Sequence, residues 1–466
     1  MSQSLQYSEL AIIVLAAGKG TRMCSSRAKV LMPLLGKSMI EHVLHSVEEL
    51  TPKEIIVVCG HDAENVQKNI GQPRGLQWVE QRELLGTGHA VLATEESISQ
   101  VDNVLIVCGD TPMLQSETLA TFIDEHLRQE ACVSVLSAEL DQPDGYGRIV
   151  RDVMGEFLAV VEDKDTNIEQ RAISEVSSGI FCIQRQWLFE LLHQVENNNM
   201  QQEYYLPDVV QLALTQNLSV QAIPVADEYE IQGINNRIQL SRVEQHMQQN
   251  IIQHWQSKGV SIENPQTVRI EASVRIGQDT TIRAGSQLYG STHIGDDCCV
   301  GPYAVISDSW INDHITIEAF SHLDQASVGN HSSIGPFGRL RAGTELDEAT
   351  HIGNFVEIKN SIIGQGSKAN HLSYIGDTQM GKNCNIGAGS ITCNYDGANK
   401  HQTNIGDGVF VGSGTKFIAP VRVADGATIG AGSVITESVD EDGLTLSKRS
   451  EVQYIRHWKR PTKSEK

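Results

Sequence analysis

Basic residues are scarce in this 466-residue chain: 36 Lys and Arg stand against 58 Asp and Glu, a formal net charge of −22. Such a field repels phosphate backbones and anionic headgroups, which argues against nucleic acid or a membrane surface as the main partner. An anionic substrate must then be met by a local group of Lys and Arg or by a metal. The nine cysteines are scattered, odd in number and without a CxxC pair. That argues against a disulfide framework and fits a reduced compartment. A long apolar run is also missing. Ala11 to Ala17 is too short to cross a bilayer and lacks the basic flank of a signal peptide. A cytoplasmic protein without membrane insertion is the expectation.

What is present is periodic. An aliphatic residue returns every six positions through Ile270, Ile276, Ile282, Leu288, Ile294, Val300 and Ile306, and again through Val328, Ile334, Leu340, Leu346, Ile352 and Ile358. The register slips back by one at Ile311, Val328, Ile363 and Met380, resumes each time, and runs to Ile435. No helix repeats at this step, and a fixed period marks a repeat architecture. Gly often follows the aliphatic residue, as in Ile276-Gly277, Ile294-Gly295 and Ile352-Gly353, and is read as permitting a tight corner. The expected fold is a prism of short parallel strands, three hexads to a coil. This pattern resembles the left-handed parallel β-helix of the hexapeptide-repeat acyltransferases. The resemblance, not the spacing, implies the handedness, a homotrimer, and active sites between neighbouring prisms.

The amino-terminal half reads differently. The strand-like run Ile12-Ile13-Val14-Leu15 enters the loop Ala16-Ala17-Gly18-Lys19-Gly20-Thr21-Arg22-Met23. A flexible loop at a strand's carboxyl end suits a phosphate, although this one is neither GxGxxG nor a P-loop. Ser38 is placed to cap a helix carrying Met39, Ile40, Val43, Leu44 and Val47 inward. Further strands at Ile55 to Val58 and Val104 to Val107 alternate with helices, implying a mostly parallel, Rossmann-like α/β sheet. Asp110 then lies outside a strand's carboxyl end, either as a ligand for Mg2+ or as a turn residue before Pro112. Leu240, Val243, Met247, Ile251 and Trp255 recur at three and four, a helix ended by Gly259. The expected domains are 1–236 (α/β), 237–259 (helical linker), 260–446 (all-β prism) and 447–466 (basic tail).

Leu15 to Met23 with Lys29 is similar to the signature of the sugar-1-phosphate nucleotidyltransferases. Leu85-Gly86-Thr87-Gly88-His89-Ala90, Gly109-Asp110, Gly145-Tyr146-Gly147-Arg148, Glu162 and Gly233-Ile234-Asn235-Asn236-Arg237 follow in that family's order. With the hexads behind it, nearly the full length resembles the family of bifunctional bacterial enzymes that join N-acetylglucosamine-1-phosphate uridyltransferase to glucosamine-1-phosphate acetyltransferase. The resemblance implies nucleotide contacts at Leu15, Ala16, Ala17, Gly18, Gln81, Gly86, Thr87 and Gly109. It implies sugar contacts at Gly147 and Glu162, Mg2+ at Asp110 and Asn235, and phosphate contacts at Arg22 and Lys29. Ser177 stands where the family usually has Asn, and is kept as a sugar-contact candidate. A sugar phosphate attacks the α-phosphorus of UTP already ionised, so this reaction needs positioning and charge rather than a general base.

In the prism, Arg341 and Lys359 are 18 residues apart, one coil, which stacks two cations on one face to receive a phosphate. A solvated basic stripe is the alternative reading. His371, in Asn370-His371-Leu372-Ser373-Tyr374, matches the acyltransferase segment and is assigned as general base. A free imidazole, with a pKa near about 6.5, accepts a proton from an amine attacking acetyl-CoA. The resemblance adds Tyr374 and Asn385 for the sugar phosphate. For acetyl-CoA it adds Ala388, Asn394, Tyr395, Ser413, Ala431 and Lys448, the last in place of the family's Arg. The track breaks between Ser390 and Ile405, where Asp396-Gly397 marks a projecting loop.

The expected product is UDP-N-acetylglucosamine, made from glucosamine-1-phosphate, acetyl-CoA and UTP by way of N-acetylglucosamine-1-phosphate. Two other readings remain open: a nucleotidyltransferase whose prism is only a trimerising or regulatory scaffold, and a sugar-nucleotide sensor without turnover.

Overall fold

The computed structural model describes residues 7–447 apart from 19, 61, 72–74 and 441–442. Lys448 and the basic tail therefore lie outside the described residues. The chain divides into two compact units, Met1–Met247 and Gln248–Lys466. The division falls inside the helix Arg237–Ser257, rather than on either side of a separate linker. Leu240 and Val243, in its first half, join a cluster with Met23, Met32, Leu34, Met39, Met113 and Ile234. Ile252, in its second half, joins the core of the prism, with Ile251 and Trp255 packed against that core.

In the first unit the sheet runs Val220–Pro224, Val133–Glu139, Glu175–Gln184, Asn103–Cys108, Leu10–Ala16, Glu54–Cys59, Leu76–Glu80. The run Leu10–Ala16 is apolar throughout because it is covered on both faces. Ile12 and Val14 enter one core and Ala11 and Ile13 the other, the alternation that a pleated strand imposes. Its neighbours on both sides are parallel to it, whereas Glu175–Gln184 is antiparallel to all three of its own, the third being Gly147–Arg151. Strand order reverses beside Leu10–Ala16, since the chain goes first to Glu54–Cys59 and later returns to Asn103–Cys108 on the other flank. Ligands of open α/β sheets sit at such a reversal, outside the carboxyl ends. The helix Met39–Glu48 starts in the expected way, with Ser38 and Glu41 forming a capping box.

The second unit is a three-faced prism of parallel sheets with eleven, ten and nine strands. Most successive coils pair at 18 residues, as Thr281 with Cys299, or at 17, as Cys299 with Thr316, and across the projecting loop at 25, as Asn385 with Phe410. Each slip of the hexad is one shortened corner. Every residue of both six-step tracks is at most 6% exposed, so the aliphatic positions are the core.

The glycines after those positions act otherwise than the sequence suggests. Left-handed backbone lies three residues after the aliphatic one, at Asp279, Asp297, His314, His331 and Ala349 among others. Gly277, Gly295 and Gly353 have ordinary negative φ and are needed for closeness. A Cβ at Gly277 or Gly295 would overlap the next coil's Asp296 or Asp313, and one at Gly353 the Asn370 carbonyl. Asp296, Asp313 and Asp407 in turn accept a main-chain N–H from the coil before, from Gln278, Asp296 and Lys382 at 2.9, 2.8 and 2.7 Å. Part of the acidic excess is therefore structural.

Candidate active sites

In the first unit the groups expected to meet phosphates and metal converge on one point. Lys29 Nζ donates to Asp110 Oδ2 and to Asn235 Oδ1, the latter at 3.1 Å. Arg22 Nη2 donates to the same Asn235 oxygen at 3.1 Å. Several backbone devices produce this. Gly20, with φ 59°, lets the loop lie against Lys29, where a Cβ would collide with the lysine's own. Gly109 N–H donates to the Leu15 carbonyl at 2.9 Å, fixing the two strand ends side by side. Ile234 N–H donates to the Asp110 carbonyl at 3.0 Å, bringing Asn235 in.

Leu15 and Ala16 end the strand Leu10–Ala16 and Ala17 and Gly18 follow it, and Gln81 follows Leu76–Glu80 at the same end of the sheet. Gln81 is buried, its Nε2 directed at the Gly86 carbonyl (3.1 Å) and His89 Nδ1 (3.0 Å). The segment Gly86–Thr87 is held from outside by residues 204–206. Gly88 N–H donates to the Tyr204 carbonyl at 2.8 Å, and Thr87 Oγ1 accepts from Leu206 N–H at 3.0 Å. Gln81 and Thr87 thus shape the rim with their side chains already committed.

The sugar-contact candidates also assemble. Ser177 pairs with Gly147 across antiparallel strands, and a Cβ at Gly147 would stand 3.7 Å from Glu162 Oε1. Glu162 is pushed up to about 7 by burial first, and then by Asp208, Asp165, Asp163 and Glu203. Ser177 is buried, its Oγ accepting from Gly179 N–H at 3.3 Å. Among the described residues no group of three His, Cys, Asp or Glu is placed to hold a metal.

In the prism, Arg341 and Lys359 fall on consecutive rungs of one face, since Leu340 pairs with Ile358. Both line a cavity of about 220 Å³ with His322, Asp324 and Arg339. Arg341 Nη1 also reaches Glu357 Oε1 at 2.9 Å. The third rung carries Gly376, over which the Tyr374 hydroxyl leans where a side chain would otherwise stand. His371 ends the strand Lys368–His371 on the adjoining face, and the next strand there, Asn385–Ile386, carries Asn385. His371 Nδ1 lies 2.7 Å from Asn354 Oδ1. With a carbonyl oxygen as its acceptor, Nδ1 carries the hydrogen, so Nε2 of the neutral ring keeps its lone pair outward.

The corner between these two faces changes character at His371. Below it the left-handed corner residues are Tyr303, Phe320, Phe337 and Phe355, exposed and stacked ring on ring at 5.0 to 5.3 Å, and then Leu372. Above it they are Gly389, Gly414 and Gly432; a Cβ at the first two would touch only the next glycine, at 3.9 and 3.8 Å, and one at Gly432 would meet open space. A ridge of rings gives way to a trough, and Ala388, Ser413 and Ala431 precede its three glycines.

The chain matches the family description "MobA-like NTP transferase domain" over residues 12–175, and "Bacterial transferase hexapeptide (six repeats)" over 273–308 and 402–437. The Bifunctional protein GlmU of Marinobacter nauticus is 42% identical over 457 residues, covering 98% of this chain and all of its own. The protein of the same name from a Geobacillus species is 43% identical over 441 residues, 94% of this chain and 95% of its own. The chain belongs to the GlmU family. It is a bifunctional transferase of UDP-N-acetylglucosamine synthesis, uniting nucleotidyl transfer with acetyl transfer. Among solved structures, a UDP-glucose pyrophosphorylase complexed with UDP-glucose aligns with 52% of this chain and 98% of its own at 16% identity, with a TM-score of 0.44.

Three groups of this GlmU-family chain escaped the sequence reading. Asn354, which orients His371, lies 17 residues before it, one short coil, and that spacing is the signal that would have found it. Lys400 comes off the projecting loop within hydrogen-bond reach of Lys359, and that contact, followed by the like charge, lowers its pKa. Asp377 binds Asn394, whose side chain is buried rather than presented to the open face. Tyr395 next to it is exposed.

Proposed function

We propose that the two activities reside in the two clusters just described. In the prism, Arg341 and Lys359 hold the phosphate of glucosamine-1-phosphate, and Tyr374 and Asn385 orient the sugar. The 2-amino nitrogen attacks the thioester carbonyl carbon of acetyl-CoA while His371 Nε2 takes its proton. The C–S bond then breaks and the thiolate leaves, protonated in turn by the imidazolium. The pantetheine arm lies in the trough beside Ala388, Ser413 and Ala431, with Tyr395 and Asn394 on the loop and Lys448 towards the CoA phosphates.

In the first unit UTP lies across Leu15 to Gly18, Gln81, Gly86, Thr87 and Gly109. N-acetylglucosamine-1-phosphate rests on Gly147, Glu162 and Ser177. Its phosphate oxygen attacks the α-phosphorus and pyrophosphate departs, while Lys29 and Arg22 stabilise the charge spread over the reacting groups. Asp110 and Asn235 supply two hard oxygen donors directed at one cation, at present the Lys29 ammonium. That donor set fits Mg2+, which takes few protein ligands and completes its shell with water and phosphate oxygens. When bound there, Mg2+ supplies charge neutralisation to the phosphates.

The chain acts as a homotrimer in the cytoplasm. The exposed ring stack beside His371 supports assembly, because four aromatic side chains in one row form an apolar strip that water covers poorly. No helix among the described residues is long and apolar enough to cross a membrane.

One observation carries the two-site reading: the His371–Asn354 hydrogen bond stands on the face adjoining two stacked cations, a constellation that a scaffold has no use for. Thiol release from acetyl-CoA with glucosamine-1-phosphate, UTP omitted, tests it. His371→Ala is expected to abolish release and spare pyrophosphate formation from UTP and N-acetylglucosamine-1-phosphate; Asp110→Ala is expected to do the reverse. Loss of both activities in either folded variant would contradict separate sites.

A further inference from the structure

One acidic side chain near the acetyl-transfer cluster has more partners than the roles above explain. Asp377 occupies a left-handed corner with φ 49°, and its side chain is only 11% exposed. One carboxylate oxygen accepts from Asn360 Nδ2, on the coil below, at 2.6 Å. The other accepts from Asn394 Nδ2, on the coil above, and lies 3.7 Å from Lys359 Nζ. Its main chain completes the connection: Asp377 N–H donates to the Lys359 carbonyl at 3.0 Å, and its carbonyl accepts from Thr403 N–H at 3.1 Å. Asn394 stands where the projecting loop leaves the prism and Thr403 where it returns. Both ends of that loop are therefore tied to the residue that also holds Lys359.

We propose that Asp377 is a positioning residue of the acetyl-transfer site, setting both the reach of Lys359 and the take-off of the loop bearing Asn394 and Tyr395, and so coupling sugar-phosphate binding to acetyl-CoA binding. The proposal rests on the assignment of Lys359 and this loop to the two substrates. An ionised carboxylate only accepts, and a lysine ammonium and an amide NH2 only donate, so a single oxygen serves both partners. A phosphate that engages Lys359 draws the ammonium's charge from that oxygen. The oxygen is then left to the Asn394 amide, and the loop is held more firmly when the sugar phosphate is in place.

Asp377→Asn isolates this role, because it keeps the shape. The amide oxygen still accepts from Asn360, but the other position becomes an NH2 facing two donors. The expected result is a rise of roughly tenfold in KM for glucosamine-1-phosphate and for acetyl-CoA together, as loss of a charge-assisted hydrogen bond implies. Expected alongside it are a kcat for acetylation within about threefold of the parent, since His371 is untouched, and unaltered uridylyl transfer. Asn394→Ala alone raises KM for acetyl-CoA, and adding it to Asp377→Asn should raise that KM by a smaller factor than it does in the parent.

A merely structural corner would show a lowered melting transition with both KM values unmoved, and that overturns the proposal. A change in one KM only overturns it too, because one residue is claimed to serve both substrates. Should Asp377→Asn fail to fold, Asn394→Asp sets two carboxylates against each other without touching the corner. It is expected to raise KM for glucosamine-1-phosphate, a substrate Asn394 does not contact, and an unchanged value overturns the coupling. Acetyl transfer surviving in His371→Ala would instead sink the site assignment, independently of Asp377.

Discussion

Glu162 concentrates the electrostatics of the proposed uridylyl site in one carboxyl. Burial and four neighbouring acids raise it to about 7, and Asp208 nearby is raised to about 6, by burial and then Asp165. A folded-state pKa above the unfolded one means the folded state holds a proton that the unfolded chain releases. The stability it contributes is fully present below the ordinary carboxylate pKa and is lost as pH rises through about 7. Glu162→Gln is therefore expected to flatten the fall in melting temperature across that window, which melts recorded at several pH values will show. In the prism, Asn354→Ala frees the His371 ring to rotate and to take either tautomer. Loss of such an orienting partner is expected to lower kcat for acetyl transfer by about tenfold to hundredfold, less than His371→Ala, while KM for both substrates stays near the parent's.

At the scale of single elements the sequence told its reader where, but not always why. The inward positions from Ile270 to Ile358 were legible because burial enforces the period directly, and the capping role of Ser38 because its motif is local. The glycines were legible as necessities, yet a glycine needed for positive φ and one needed for close approach look the same in a sequence. Gly353 and Gly432 separate the two cases. Gly353→Ala drives a methyl into the Asn370 carbonyl and is expected to cost about 3 kcal/mol or more of prism stability. Gly432→Ala, with φ 73° but open space, should cost about 1 kcal/mol, and calorimetric melts of the two variants decide the ranking. Side-chain partners one coil apart, such as Asn354 with His371 and Asn394 with Asp377, were legible only through the coil spacing, here 17 residues. They depend on whether an intervening corner is long or short.

At the scale of the molecule, the ring stack Tyr303, Phe320, Phe337 and Phe355 is the feature that association would cover. A carboxylate at its middle, Phe337→Asp, keeps the left-handed corner, which Asp occupies elsewhere in the prism, and removes the apolar surface. It is expected to shift sedimentation from trimer towards monomer and to lower acetyl transfer, leaving uridylyl transfer intact. A parent chain that sediments as a monomer would remove the need for that strip.

The rungs that carry the residues proposed for acetyl transfer come in chemical order. Arg341 and Lys359 stand on two successive rungs, His371 on the third, Ala388 on the fourth, Ser413 and Ala431 on the fifth and sixth. With neighbouring strands about 4.8 Å apart, the row measures about 24 Å from end to end. On the proposed assignment the prism is a ruler laid along its substrates, graduated in strands, with the anion at one end, the proton acceptor at a fixed mark and the acyl carrier beyond it. Coils added below the ring stack would lengthen the handle and leave every mark in place. One coil added between His371 and Ala388 would keep every functional side chain and move the acyl group out of reach.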